Sequence, residues 1–268
     1  MYRVVRMMNN MVVINNLNFS YNDKVVFNNF NLSIKKGSFT TIIGKNGSGK
    51  STLANILTGL ISSNNIYIDE ILLCDDNLLS IRKSMCAVLG NLSNSFICES
   101  VIDELSYSVV DSLNLINDIS TSLGIEHLLN KNPIDLSIGE RQIVAVACAL
   151  VNNPKLLILD EAFSSIDYVS KTKILNYLKK INIDDNVTIL NFTNDIDESL
   201  YGSDIVVIDN GNVVLQGDNV SVYKQEKILK SVGFNLPFMV DLSNRLSYYD
   251  LVDDFIFDMD EMINLLWK

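Results

Sequence analysis

Apolar runs separated by Gly, Asn and Pro divide the chain into predicted elements. Phe39-Thr40-Thr41-Ile42-Ile43 reads as a buried strand and Leu53-Ala54-Asn55-Ile56-Leu57 as an apolar helix, with a glycine-rich stretch between them. Ahead of these, Met11–Ile14, Val25–Phe27 and Phe30–Ile34 predict short strands broken by Asn and Gly turns, hence a small antiparallel sheet. Residues 60–135 carry amphipathic helical patterns, among them Val101–Val110, and Pro133 then interrupts the chain. Leu136–Gln142 opens an apolar helix over Ile143–Val151, which Asn153-Pro154 ends. Leu156–Leu159, running into Asp160-Glu161, describes a central parallel strand with acids at its C-terminal edge. Val187–Phe192 is another core strand, and Ile205–Ile208 with Val213–Leu215 forms a hairpin around Asn210-Gly211. From Lys224 the pattern changes: Leu236-Pro237-Phe238 punctuates it, and Phe255, Met259, Met262, Ile263 and Leu266 recur at helical spacing. That last face reads either as a surface helix or as a docking helix for another copy.

Composition narrows the classes. A chain of 268 residues, 48% hydrophobic with three prolines, can bury a large core as one domain or as one domain with an appendage. Its formal charge of −11 argues against nucleic acid as a partner, since phosphate backbones are held by clustered Lys and Arg. Four separated cysteines and a single histidine argue against zinc and predict reduced, mostly core thiols. With no run of 18 apolar residues, and with Met1–Arg6 lacking a sustained apolar region, the expectation is a cytoplasmic protein that reaches a membrane only through a partner.

The chemistry concentrates in Gly44-Lys45-Asn46-Gly47-Ser48-Gly49-Lys50-Ser51-Thr52, which fits G-x-x-x-x-G-K-[ST]. Without Cβ atoms, Gly44, Gly47 and Gly49 let backbone N–H groups turn inward onto phosphate oxygens at the positive end of a helix. Lys50 reaches the β and γ phosphates, and the Ser51 hydroxyl is a Mg²⁺ ligand. Asp160 is placed to hold Mg²⁺ through water and Glu161 to polarise an attacking water, with Asp167 on the following turn. Ser137 and Gly139 form either a second anion site or an ordinary helix cap. Tyr21 is either a base-stacking aromatic or a surface tyrosine.

Taken together, in this order and spacing, Tyr21, residues 44–52, the stretch 136–142, residues 156–161 and Asp167 resemble the ATP-binding cassette (ABC) ATPases over about residues 11–220. The resemblance implies an α/β P-loop NTPase fold: a RecA-like core, an antiparallel β subdomain and a helical subdomain at about 90–152, within a domain spanning 1–223. It further implies ATP and Mg²⁺ as cofactors. Tyr21, residues 44–52, Ser137, Gly139, Glu140 and Asp167 would contact nucleotide, Ser51 and Asp160 would hold the metal, and Glu161, Lys50 and Asn194 would be catalytic. Ser137 and Gly139 would face the γ-phosphate held by an opposing subunit, so two cassettes sandwich two nucleotides. A narrower resemblance, carried by Ser93–Phe96, Val101–Leu105, Val232–Phe238 and Glu261–Trp267, is to the energy-coupling-factor transporter ATPases. It implies import of a vitamin or metal ion through an integral membrane scaffold (EcfT-like) and a separate substrate-binding membrane subunit. The chain would sit at the cytoplasmic face of the membrane, paired with a paralogous ATPase through a helical extension at 224–268. Glu99, Asp103 and Glu104 would offer that scaffold an acidic face, or are a plain solvated surface.

Three positions depart from the family pattern. Asn194 stands where the switch histidine belongs, Gly90 or Asn91 where a glutamine belongs, and Ile138 replaces a signature glycine. Asn donates a hydrogen bond but carries no titratable charge. These departures raise a second reading, a nucleotide-binding regulatory clamp whose own site hydrolyses little. An ATPase of another ABC class is a further option; a soluble cassette in DNA repair or translation is weaker, since neither tandem cassettes nor a basic surface is present.

Overall fold

The computed structural model describes residues 9–90, 96–107 and 113–267. In chain order the strands are β1 (Asn10–Tyr21), β2 (Lys24–Lys35), β3 (Phe39–Ile43), β4 (Ile66–Ile68), β5 (Ile71–Leu72), β6 (Met85–Val88), β7 (Leu156–Asp160), β8 (Thr188–Thr193), β9 (Asp204–Asp209) and β10 (Asn212–Asp218). The helices are α1 (Lys50–Leu57), α2 (Asp75–Arg82), α3 (Val101–Ser106), α4 (Leu113–Leu123), α5 (Ile138–Val151), α6 (Tyr168–Asp185), α7 (Asn219–Tyr223), α8 (Glu226–Ser231), α9 (Phe238–Ser247) and α10 (Met259–Leu266).

Every residue of β3, β7 and β8 is buried, the mark of strands covered on both faces. They lie inside a six-stranded sheet of order β10-β9-β3-β8-β7-β6, parallel except for β10 at its edge. Period-two alternation sends the side chains of β7 to two different cores. Leu157 and Leu159 meet α4, α5 and α6 on one face. On the other, Leu156 and Ile158 meet α1 and a four-stranded antiparallel sheet of order β2-β1-β4-β5. Further along the sheet, Ile43, Ile205 and Val207 are covered by the C-terminal segment, through Tyr223, Leu229, Val232, Phe234, Leu236 and Val240.

The structure corrects the sequence reading in five places. The short early strands are two 12-residue strands, β1 and β2. The asparagines read as turns are bulges: Asn16 and Asn29 take φ of 51° and 54° within the ladder. Asn31 and Asn18 accept their backbone N–H groups across the pair, at 2.9 and 2.8 Å. Second, β4, β5 and β6 lie within 60–135, where the periodicity predicts helices; β6 is too short to show a period and is held by pairing with β7. Third, α5 begins at Ile138, ahead of the apolar run that starts at Ile143; Ser137 is its N-cap, as the helix-cap reading expects, and Glu140 completes a capping box. Fourth, Phe255 precedes α10 and packs its ring against Tyr223 at 6.4 Å. Fifth, the four cysteines, free as the reduced-thiol reading expects, are only partly buried where that reading places most of them in the core. Residues 1–8, 91–95, 108–112 and 268 lie outside the described residues, and with them Met1–Arg6, Asn91, Ser93–Ser95 and the end of the predicted 101–110 helix. The hairpin at Asn210-Gly211 forms as predicted, with φ of 46° and 71° at the two turn residues. Among the described residues, no helix is long and apolar enough to cross a membrane.

Candidate functional site

The glycine-rich stretch is the connection between β3 and α1. Gly47 and Gly49 sit at φ of 83° and 109°, a region other residues enter at a cost, and a Cβ on Gly49 would press on the Phe27 ring at 3.0 Å. The turn of the β9–β10 hairpin supports this loop from outside: Gly211 N donates to Ser48 O at 3.1 Å. The same hairpin also packs on the start of the loop, where a Cβ on Gly44 would meet Ile208 O of β9 at 2.5 Å.

Lys50 is 4% exposed, and its ammonium donates to Gly44 O at 2.6 Å and to Lys45 O at 3.4 Å. Glu161 Oε1 lies 3.8 Å from the same nitrogen. Ser51 Oγ donates to Asp160 Oδ1 at 3.2 Å, bringing the two predicted metal ligands together across α1 and β7. Burial lowers the Lys50 pKa, with Glu161 and Asp160 opposing. Burial likewise raises Asp160, opposed by the Ser51 hydrogen bond and Lys50. It raises Glu161 too, where Lys50 opposes and Asp160 reinforces. Glu161 itself stands at φ 52°, a strain of about 1–3 kcal/mol for a non-glycine residue, and such strain gathers at functional sites.

A cleft of about 370 Å³ joins Tyr21, Asn46, Gly47, Gly49, Lys50, Ser51, Thr52 and Glu161, within the size range of small-molecule sites. Tyr21 ends β1, is 47% exposed and stands edge-on to Phe19. Ser48 Oγ is buried with no partner among the described residues, an unmet polar group beside the glycine amides. Two hydroxyls, an amide-rich loop and a buried cation suit a polyphosphate, and the hard oxygens of Ser51 and Asp160 suit Mg²⁺.

Other predicted residues lie elsewhere. Ser137, Gly139 and Glu140 head α5 outside that cleft: Glu140 Oε2 accepts from Ser137 N at 2.8 Å and Ser137 Oγ from Glu140 N at 3.2 Å. Asp167 caps α6, accepting from Ser170 N at 3.0 Å, which holds its carboxyl below the ordinary range. Asn194 is exposed after β8 and shares a second, larger cleft of about 930 Å³ with Lys45 and the C-terminal residues Gly233–Leu236; Asn46 borders both clefts.

Residues 27–164 match the family described as ABC transporter. The energy-coupling factor transporter ATP-binding protein EcfA of Pediococcus pentosaceus is 34% identical over 251 residues, covering 89% of this chain and 90% of that protein. The chain belongs to the ABC transporter family, among the energy-coupling factor ATP-binding proteins. Among solved structures, cbiO1 from Clostridium perfringens, part of the ABC transporter complex cbiONQ, is 28% identical with a TM-score of 0.71, over 90% of this chain and 99% of that one. The ATP-binding cassette MJ0796, whose dimer was solved in a post-hydrolysis state bound to ADP and Pi, is 29% identical with a TM-score of 0.68, over 78% of this chain and 98% of that one.

Within this ABC frame, several residues with a part in the site escaped the sequence reading. Gln142 is buried on α5 and bonds the segment after Glu161; an amide directly heading the apolar run Ile143–Ala147 was the available signal. Lys171 of α6 donates to Asp195 at 2.6 Å and lies 3.5 Å from the buried Glu198, fastening the loop that carries Asn194. Gly90, by contrast, is named in the sequence reading as standing where a family glutamine belongs, and it does lie beside the acids: a Cβ there would stand 3.4 Å from Asp160 O and 3.9 Å from the Glu161 Cβ. The predicted acidic face is partly spent internally: Glu104 accepts from Ile97 N and Cys98 N at 3.0 and 2.8 Å, and Asp103 accepts from the Ser100 hydroxyl at 2.5 Å.

Proposed function

We propose that this chain is the ATP-binding and hydrolysing subunit of an energy-coupling-factor importer, driving uptake of a vitamin or metal ion. One observation supports it above the rest: Lys50, Ser51, Asp160 and Glu161 converge on the glycine loop in a chain that matches an EcfA protein over nine-tenths of its length. The glycine amides and Lys50 grip the triphosphate, Thr52 and Tyr21 line the cleft beside it, and Glu161 orients the attacking water. Mg²⁺ held by Ser51 and Asp160 would neutralise charge spreading over the transferred phosphoryl group.

Ser137, Gly139 and Glu140, which stand outside the chain's own cleft, are assigned to the nucleotide of a second cassette, a paralogue, with Asp167 at the same junction. We divide the chain into a nucleotide-binding domain at 1–223, with its helical subdomain at about 90–152, and a pairing extension at 224–268. A membrane scaffold and a separate substrate-binding subunit complete the assembly at the cytoplasmic face.

The regulatory-clamp reading draws on Gly90 beside the acids and on Asn194 in the neighbouring cleft. Substituting Glu161→Gln in this chain alone, within the purified pair, separates the two. As the hydrolytic subunit it should lose turnover by about 10²–10⁴-fold. Near-normal turnover would make the chain a clamp.

A further inference from the structure

We propose that Gln142 is the positioning residue that aims Glu161, resting on the reading above that Glu161 orients the attacking water. Gln142 is 3% exposed in the first turns of α5. Its Nε2 donates to Ser164 Oγ at 3.0 Å and to Glu161 O at 3.4 Å, and its Oε1 accepts from Ser165 N at 3.0 Å. All three contacts fall on the one segment whose first residue is the strained Glu161.

A left-handed residue next to a strand end persists only where its surroundings over-determine it. On the strand side, Glu161 N donates to Phe192 O at 2.9 Å. On the other, Ser164 N donates back to Glu161 O at 3.3 Å, a weak turn bond that Gln142 braces from α5. One turn earlier, Gly139 lets the helix lie flush on the same segment: a Cβ there would stand 2.6 Å from Ser165 O, a backbone atom that cannot swing aside. The head of α5 and residues 161–165 therefore form one unit, and the carboxylate near Lys50 takes its direction from that unit. Because Ser137 caps the same helix, a shift of α5 on partner closure carries Glu161 with it.

The test is Gln142→Met, which keeps the volume and removes all three hydrogen bonds, made in this chain within the pair. Expected are a kcat lower by about 10–100-fold, a Kd for Mg·ATP within twofold of wild type, and faster amide exchange at Ser165. A merely structural role would instead degrade Kd and kcat together or leave kcat untouched, and either result overturns the proposal. If Gln142→Met fails to fold, Ser164→Ala, which removes one bond only, decides: a severalfold fall in kcat at constant Kd supports it, and an unchanged kcat overturns it. Glu161→Gln measured alongside keeps the two claims apart. If both variants are silent, the role of Glu161 fails; if Glu161→Gln inactivates and Gln142→Met is silent, only this inference fails.

Discussion

Lys50 lies within ion-pair distance of Glu161 and beside Asp160; Lys50 and Asp160 are buried and Glu161 is half-buried. Desolvation holds Glu161 above the ordinary carboxylate range, and the neighbouring Asp160 pushes the same way. A water-orienting carboxylate works only unprotonated, so a raised value means that activity is lost at a higher pH on acidification. The acid limb of kcat/KM for Mg·ATP, which reports the free enzyme, should therefore have its midpoint above the unperturbed glutamate value of about 4.3. A profile flat down to about that value contradicts this assignment of the base. At this scale the phosphate loop was legible because its glycines, lysine and hydroxyl act at fixed spacing along one connection. Gln142 was not, because its work depends on where a distant strand end happens to pack, and the left-handed backbone of Glu161 leaves no mark on composition.

Among the elements, the β9–β10 hairpin does more than close the sheet. Its Asn210-Gly211 turn was readable as a turn, but its second task, donating Gly211 N to Ser48 O, appears only once β9 lies beside β3. Gly211 stands at φ 71°, and a Cβ there would collide with the Val26 carbonyl of β2. Gly211→Ala should cost about 1–3 kcal/mol of stability by denaturant unfolding and weaken Mg·ATP binding, because the displaced turn takes the loop's support with it. Unchanged stability and affinity would show that the turn bears no load. Asn16 and Asn29 illustrate why β1 and β2 were read as broken: Asn favours the left-handed region in turns and in bulges alike, and only the cross-strand bonds of Asn18 and Asn31 tell them apart.

Over the whole molecule, the two faces of the parallel sheet and the C-terminal segment all bear on one loop. The segment covers Ile43 and Val207, and its Gly233, at φ 87°, lies against the tip of the Lys45 side chain, where a Cβ would meet the Lys45 Cε and ammonium. The part read from sequence as an appendage thus touches the phosphate loop directly. Helical spacing could not show this, because the contact is made by the turn before α9 rather than by the predicted face of α10. On the function proposed above, this loop would grip a triphosphate, and the head of α5, which lies outside the loop's cleft, would serve a second cassette. The direct check is an equilibrium titration of a fluorescent ATP analogue, with Mg²⁺, onto the chain paired with its partner cassette, comparing wild type with Lys50→Ala in this chain. We expect saturable binding that Lys50→Ala weakens at least about tenfold, or about 1.4 kcal/mol; no saturable binding, or equal affinity in the two proteins, would contradict the account.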